Sequence, residues 1–327
     1  MKYLACMAAF WILAAGAEEV TAPWSDGFET GKLKSYSHWN SRGVSIEKMD
    51  GGHILSVGKL PENAKSKRAD IVMKRVPVKD SVKYRLSFRA KIDGPDTVED
   101  NPQLEYLFYE YDKAAKGKPL SGWRLEFYDK NGKRIARSFS LFWNVVFRGA
   151  WNRYEEIFYP PPGAVAFSVI FTNNANPDNV MLVDDLKLET AEEGTLNINP
   201  EFNCGKYNFS GYNYVKNVKI VEYAKGKFAL DNRNGWCIMD PVPVTPGVEY
   251  EISATIHSQE KTGRLYVWCC DGRLKKVSQL KQVLRVAPPK EETKTIRFIV
   301  PEGISYVRLA TGSGGVFKSV RMNQVKK

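Results

Sequence analysis

The stretch Val82-Lys83-Tyr84-Arg85-Leu86-Ser87-Phe88-Arg89-Ala90-Lys91 alternates apolar and polar residues along its whole length. In an extended chain successive side chains leave opposite faces, so this segment turns one face to a core and the other to water. It occurs twice. Val82, Tyr84, Leu86, Phe88 and Ala90 fall on Val248, Tyr250, Ile252, Ala254 and Ile256 at a constant offset. The same offset carries Val76-Pro77-Val78 onto Val242-Pro243-Val244. A second, shorter offset matches Arg124-Leu125 with Arg264-Leu265, and Asn131-Gly132-Lys133 with Asp271-Gly272-Arg273. It also matches Pro161-Pro162-Gly163 with Pro301-Glu302-Gly303. Towards the ends, Phe28-Glu29 falls on Phe202-Asn203, and Leu182-Val183-Asp184-Asp185-Leu186 on Val316-Phe317-Lys318-Ser319-Val320. The chain therefore reads as two copies of one domain.

Other segments follow the same period. Val165, Phe167, Val169 and Phe171 form an inward stripe after the breaker Pro160-Pro161-Pro162-Gly163. Leu125 to Tyr128 and Lys133 to Ala136 flank Asn131-Gly132, which reads as a two-residue hairpin turn. No window sustains a helical period. The chain is expected to be all-β, with short strands and turn signals at sandwich spacing. The boundary between copies falls in the polar, turn-prone Thr190-Ala191-Glu192-Glu193-Gly194-Thr195, placing the domains at 18–192 and 193–327. Such a short connector implies neighbouring sandwiches with restricted relative motion. The gap between the offsets places an insertion within about Asp93 to Pro119 of copy one. It holds Leu104-Glu105-Tyr106-Leu107-Phe108-Tyr109-Glu110-Tyr111.

Residues 1–17 read as a secretory leader, with Lys2, an apolar run from Leu4 to Leu13, and Ala15-Gly16-Ala17 before Glu18. The run is short for a bilayer span, so the expectation is a secreted, periplasmic or cell-surface protein that does not span the membrane. The 48 Lys+Arg against 37 Asp+Glu, a net charge of +11, suit acidic glycans or anionic cell surfaces. The scatter of these charges also fits a generally solvated basic surface. With no basic block and no reader motif, nucleic acid is not an expected partner. Past the leader the cysteines are Cys204, Cys237, Cys269 and Cys270, all in copy two. An even count in an oxidising compartment implies structural disulfides.

These landmarks resemble the family 4 and family 9 carbohydrate-binding modules, among the galactose-binding-like jelly rolls. The matching elements are Asp26-Gly27-Phe28-Glu29-Thr30-Gly31 followed by Trp39, the Val82 to Phe88 strand, and Trp151-Asn152-Arg153-Tyr154. Pro160-Pro161-Pro162-Gly163 and the closing Val183-Asp184-Asp185-Leu186-Lys187-Leu188 complete the set. The resemblance implies two tandem jelly-roll sandwiches and a structural calcium in the first. Glu29 and Asp184 are its implied ligands, with Asp50 and Asp185 contributing. Copy two has Asn203 and Lys318 at the matching positions, where a lysine would expel a cation.

No nucleophile elbow, metal-protease motif or phosphate loop is present, and His38, His53 and His257 sit in no triad or metal spacing. A carboxylate pair drawn from Glu105, Glu110, Asp112, Glu126 and Asp129 is the remaining hydrolase or lyase option. It is outweighed by the reading of these residues as solvated acids. Sugar binding needs aromatic faces with polar neighbours. Tyr109, Tyr111 and Trp123 are the expected platform, with Trp39 nearby and Arg124 and Glu110 as hydroxyl or acid-group partners. Trp143 and Trp151 read as structural. Trp236, Tyr266 and Trp268 lie in copy two, which reads as a structural companion. The function expected is non-catalytic binding of a polysaccharide or other glycan, with a protein-interaction scaffold as the alternative.

Overall fold

A computed structural model of the chain describes residues 24–31, 36–40, 43–49, 51–58, 69–94, 122–135, 144–145, 150–173, 179–191, 194–202, 212–279 and 283–325. For 36–40, 144–145, 212–216 and 278–279 it describes the backbone alone. Every regular element among these residues is a strand, and no helix is long and apolar enough to cross a membrane. The first copy begins with β1 (Trp24–Asp26), β2 (Tyr36–Asn40), β3 (Val44–Met49), β4 (Gly52–Val57), β5 (Ala69–Met73) and β6 (Val76–Pro77). It continues with β7 (Tyr84–Asp93), β8 (Gly122–Tyr128), β9 (Asn144–Val145), β10 (Asn152–Phe158), β11 (Ala166–Asn173) and β12 (Val180–Thr190). The second copy opens with β13 (Tyr212–Lys216), β14 (Lys219–Ala224), β15 (Lys227–Asn232), β16 (Trp236–Met239), β17 (Val242–Pro243) and β18 (Glu249–Ser258). It closes with β19 (Gly263–Cys270), β20 (Lys276–Gln279), β21 (Leu284–Val286), β22 (Lys290–Ile299), β23 (Tyr306–Gly312) and β24 (Gly315–Gln324).

Four antiparallel sheets result, two in each copy. Sheet β10-β7-β12-β4-β3 takes β1 beside β12, and sheet β2-β5-β11-β8-β9 takes β6 beside β11. In the second copy the sheets run β22-β18-β24-β15-β14 and β13-β16-β23-β19-β20, with β17 beside β23 and β21 beside β19. The central strands correspond, though β1 has no described counterpart in copy two and β21, not β20, pairs at the place of β9. The repeat is thus a repeat of topology, and the chain is a tandem of two jelly-roll sandwiches. Each sandwich closes over its own core, one running from Phe28 to Leu188 and the other from Phe202 to Met322.

The cores reach the same closure with different chemistry. In copy one Phe88 stacks on Tyr154 at 5.3 Å and meets Trp123 and Phe171 edge-on at 5.0 and 5.1 Å. Such pairs add to the gain from burying ring surface. In copy two Ala254, Leu265 and Thr311 occupy the positions of Phe88, Trp123 and Phe171. There Asn232 donates from Nδ2 to the Thr311 carbonyl at 3.0 Å and to its Oγ1 at 2.6 Å. A buried amide is tolerated where such hydrogen bonds are made.

Several small devices are identical in the two copies. The Tyr84 hydroxyl accepts from the Lys79 backbone N–H at 3.0 Å, and the Tyr250 hydroxyl accepts from Thr245 N–H at 3.0 Å. Phe28 and Phe202 are both buried with left-handed backbones, φ 61° and 58°. Val78 N–H bonds Val165 O, as Val244 N–H bonds Ser305 O, both at 3.0 Å.

The register corrects the sequence alignment at one point. Trp123 faces Phe171 across the sheet as Leu265 faces Thr311, so Leu125 answers to Val267 and not to Leu265. The turn after β8 slips with it. Asp129 Oδ1 accepts from Asn131 and Lys133 N–H, and Asp271 Oδ1 accepts from Arg273 and Lys275 N–H, all at 2.9 Å. The backbone closes from Asp129 to Lys133, so the loop is longer than the expected two-residue turn. Gly132 alone takes positive φ, 73°, and Leu274 holds that place in copy two at 62°. A slip of two residues preserves which face each side chain leaves, so the face assignment survives it.

The connector is tied to both halves. Lys83 Nζ donates to Thr195 O at 2.8 Å, Tyr159 Oη to Leu196 O at 2.9 Å, and Leu196 N–H to Met322 O at 2.8 Å. Replacing Tyr84 or Tyr250 with Phe removes the acceptor of a backbone N–H. Each variant should lose about 1–2 kcal/mol in denaturant unfolding, and the two losses should be alike because the geometry is shared.

Candidate functional site

Strand β19 reads Arg264-Leu265-Tyr266-Val267-Trp268-Cys269. Leu265, Val267 and Cys269 are fully buried in the core of copy two. The alternate set therefore leaves the outer face of the sheet, with Arg264 exposed and Tyr266 and Trp268 partly exposed. Strand β16 does the same, burying Cys237 and Met239 and turning out Trp236 and Ile238. Between them runs β23, which presents Arg308 opposite Trp268 and Ala310 opposite Tyr266. Gly312 follows on the same side.

The small residues of β23 make room for rings lying over the sheet. A methyl group at Gly312 would sit 2.8 Å from Tyr266 Cε2 and 3.2 Å from Trp236 Cζ3, inside contact distance. Trp236 lies 5.4 Å from Tyr266 and 5.9 Å from Trp268, inclined by 37° and 31°. The Lys276 ammonium, on β20, stands 4.5 Å over the Trp268 ring. Trp268 Nε1 and the Nε and Nη2 of Arg308 are shielded from water and make no hydrogen bond. Burial pushes the Arg308 guanidinium below its usual range, opposed by Cys270 and Asp240, but a guanidinium stays protonated in a protein. Partly exposed aromatic faces beside unused donors can receive a ligand with flat apolar surfaces and oxygen acceptors.

The equivalent face of copy one is closed. Arg124, Glu126 and Tyr128 take the outward positions of β8, and Glu126 is 2% exposed. Its carboxylate accepts from Arg124 at 3.1 Å and from the Tyr128 hydroxyl at 3.1 Å, and pairs with Arg134 at 3.0 Å. Burial and the Glu126 charge push the Tyr128 hydroxyl up. Thr172 donates to Asp70 at 2.5 Å, and the Arg75 guanidinium lies 3.9 Å over the Tyr128 ring. Glu126 is thus buried and held by three partners, neither a solvated acid nor a free catalytic one.

Two of the expected platform assignments need correction. Trp123 is 1% exposed and packs edge-on against Phe88, so it is a core residue unable to touch a sugar. Arg124 is committed to Glu126. Tyr109, Glu110 and Tyr111 lie outside the described residues, as do Asp50, Cys204, Trp143, Glu105 and Asp112. Trp39 lies on β2 beside β5, where the pairing shifts between Ser37 and Asn40. Trp151, read as structural, is partly exposed, with the Arg89 guanidinium 5.6 Å from its ring centre.

The carboxylates expected to hold calcium are engaged elsewhere. Arg89 bridges Asp184 at 2.8 Å and Asp185 at 2.5 Å. Glu29 turns to His53, 3.3 Å from its Nδ1. Among the described residues no three potential ligands converge, and Asp50 lies outside them. In copy two Lys318 holds the position of Asp184, pairs with Glu291 at 2.8 Å and lies 4.7 Å over Tyr223. The described cysteines also depart from expectation. Cys237, Cys269 and Cys270 are buried thiols, not disulfides, and burial drives the Cys237 thiol far above its ordinary range.

Trp123→Ala should cost about 3–5 kcal/mol in denaturant unfolding, the scale for deleting a large aromatic from a core. In the native protein these three thiols should resist an aromatic disulfide reagent and react once the chain is unfolded, as thiol titration would record.

No protein-family model matches the chain, and no curated protein matches its sequence. Among solved structures it is similar to the N-terminal CBM22-1–CBM22-2 tandem domain of Paenibacillus barcinonensis Xyn10C. That likeness has 11% identity and a TM-score of 0.35, over 92% of this chain and 97% of the other. The enzymatically active domain of bacteriophage CBA120 tailspike protein 4 is similar at 11% identity and TM-score 0.35, over 50% of this chain and 20% of the other. TmCBM61 in complex with β-1,4-galactotriose is similar at 14% identity and TM-score 0.30, over 50% of this chain and 94% of that one.

Proposed function

We propose that this chain is an exported, non-catalytic glycan-binding protein whose described binding face lies in copy two, on the outer side of β16, β23 and β19. The observation that carries this reading is the group Trp236, Tyr266 and Trp268 laid over the small residues of β23, beside donors with no hydrogen bond. The axial C–H surface of a pyranose packs on an aromatic face, and its hydroxyls accept from nearby N–H groups. The exposed Arg264 guanidinium and the Lys276 ammonium over Trp268 supply such groups. Because the face is open, binding to a single site is expected to be weak, with water completing part of the hydrogen bonding. The non-catalytic half of the proposal is supported by Glu126, the acid best placed on a sheet face, being spent on Arg124, Arg134 and Tyr128.

The test is a glycan array with polysaccharide pull-downs, using the purified full chain. Trp236→Ala, Tyr266→Ala and Trp268→Ala should each weaken capture about tenfold or more, with unfolding temperature little changed. Retention of binding in all three variants, or no binding to any glycan by the native chain, would overturn the assignment. Gly312→Ala offers a milder probe. It should shift the near-ultraviolet circular dichroism of the ring group and weaken binding while changing stability by less than about 1.5 kcal/mol.

A further inference from the structure

We infer that the ligand of the Trp236–Tyr266–Trp268 face is anionic, a glycan chain bearing carboxylate or sulfate groups. This rests on the glycan-binding reading above. Cations stand at both ends of the aromatic group. At one end Arg308 is paired in register with Trp268, and Lys276 lies 4.5 Å over the same ring. At the other, Arg264 precedes Tyr266 by two residues on β19 and lies opposite Gly312. Arg264 also pairs in register with Arg285 on β21, and both are exposed.

Two arginines set directly opposite each other across an antiparallel pair repel. Folding alone has no use for that arrangement, but an anion lying between the guanidinium groups turns it to advantage.

Three of the four other arginines of this copy show the contrast, Arg273 on the turn after β19 having no ion pair among the described residues either. Arg233 holds Asp231, Arg297 holds Glu251 at 2.8 Å, and Arg321 holds Glu201. Among the described residues Arg264, Arg285 and Arg308 have no such ion pair, although Asp240 is close enough to Arg308 to act on its charge. Cations left unpaired around an aromatic strip fit a chain that stacks its rings and presents an acid group near each pole. Arginine matches a carboxylate or an oxyanion with two parallel N–H bonds.

The experiment titrates the full chain with polygalacturonate, dextran sulfate and a neutral β-glucan at low and high salt. The variants are Arg264→Gln with Arg285→Gln, Arg308→Gln, Trp268→Ala, and Lys225→Gln as a control on the β14–β15 hairpin. One or both anionic polymers should bind about tenfold more tightly than the neutral one. That preference should fall with salt and be lost in the arginine variants and in Trp268→Ala, with Lys225→Gln unchanged. Preference for polygalacturonate alone assigns a carboxylate, and for dextran sulfate alone a sulfate. Equal binding of the neutral polymer, unaffected by the arginine changes, would overturn the charge inference and leave the aromatic reading standing. An equal loss in Lys225→Gln, with Trp268→Ala binding normally, would mark the attraction as bulk charge and overturn it too. Failure of every glycan to bind would remove the underlying reading. Unfolding temperatures of the variants separate each outcome from misfolding.

Discussion

Everything in this molecule follows from the two-residue period of an extended chain closed between two sheets. Once a strand is clamped with one face on a core, the identity of each outward position is free and that of each inward position is not. A shift of one residue would empty the core, whereas a shift of two costs only local repacking. Strands β8 and β19 differ from a simple sequence alignment by such a two-residue slip, and both still bury their alternate residues.

That freedom explains how the copies kept one topology while changing their chemistry. Inward, Phe88, Trp123 and Phe171 became Ala254, Leu265 and Thr311, with Asn232 bonding to Thr311 in the space between the sheets. Outward, Arg124 and Glu126 became Tyr266 and Trp268. The copy-one pair builds a charged cluster around a buried carboxylate, whereas the copy-two pair turns two ring faces outward. Charge across the last strand is exchanged as well. Arg89 faces Asp184 in copy one, and Lys318 faces Glu291 in copy two.

The repeat, the all-β class and the paired sandwiches were legible because alternation, Val-Pro steps and Pro-Gly breakers are local signals that the sheets obey. The turn after β8 was legible in kind and wrong in register. Asn131-Gly132 looks like a tight hairpin, but the turn is organised by Asp129 and Asp271, whose carboxylates gather backbone N–H groups four residues ahead. Leu274 concealed the match, since a leucine gives no sign of a left-handed position. Trp123 was misplaced although its phase was visible. Trp123 alternates with Leu125 and Phe127, which places it inside, while Trp268 and Tyr266 alternate with Val267 and Leu265, which places them outside. What sequence could not supply was β23. Only the folded sheet brings Ala310 and Gly312 beneath the rings.

The placement of the small residues on β23 bears on why this face suits a ligand better than a protein core. A large side chain at Ala310 or Gly312 would separate Trp236 from Tyr266 and fill the space with the protein's own atoms. Leaving the strand bare sacrifices packing contacts that an ordinary sandwich surface would keep. It also leaves Trp268 Nε1 and two Arg308 nitrogens without hydrogen bonds, each costing on the order of 1–3 kcal/mol. A structural companion domain gains nothing from such an arrangement. A binding face does, because the rings are already held in place by the sheet beneath them. On copy one the same positions carry Arg124 and a Glu126 carboxylate held by Arg124, Arg134 and Tyr128, so the fold had a charged alternative to exposed rings and copy two does not take it.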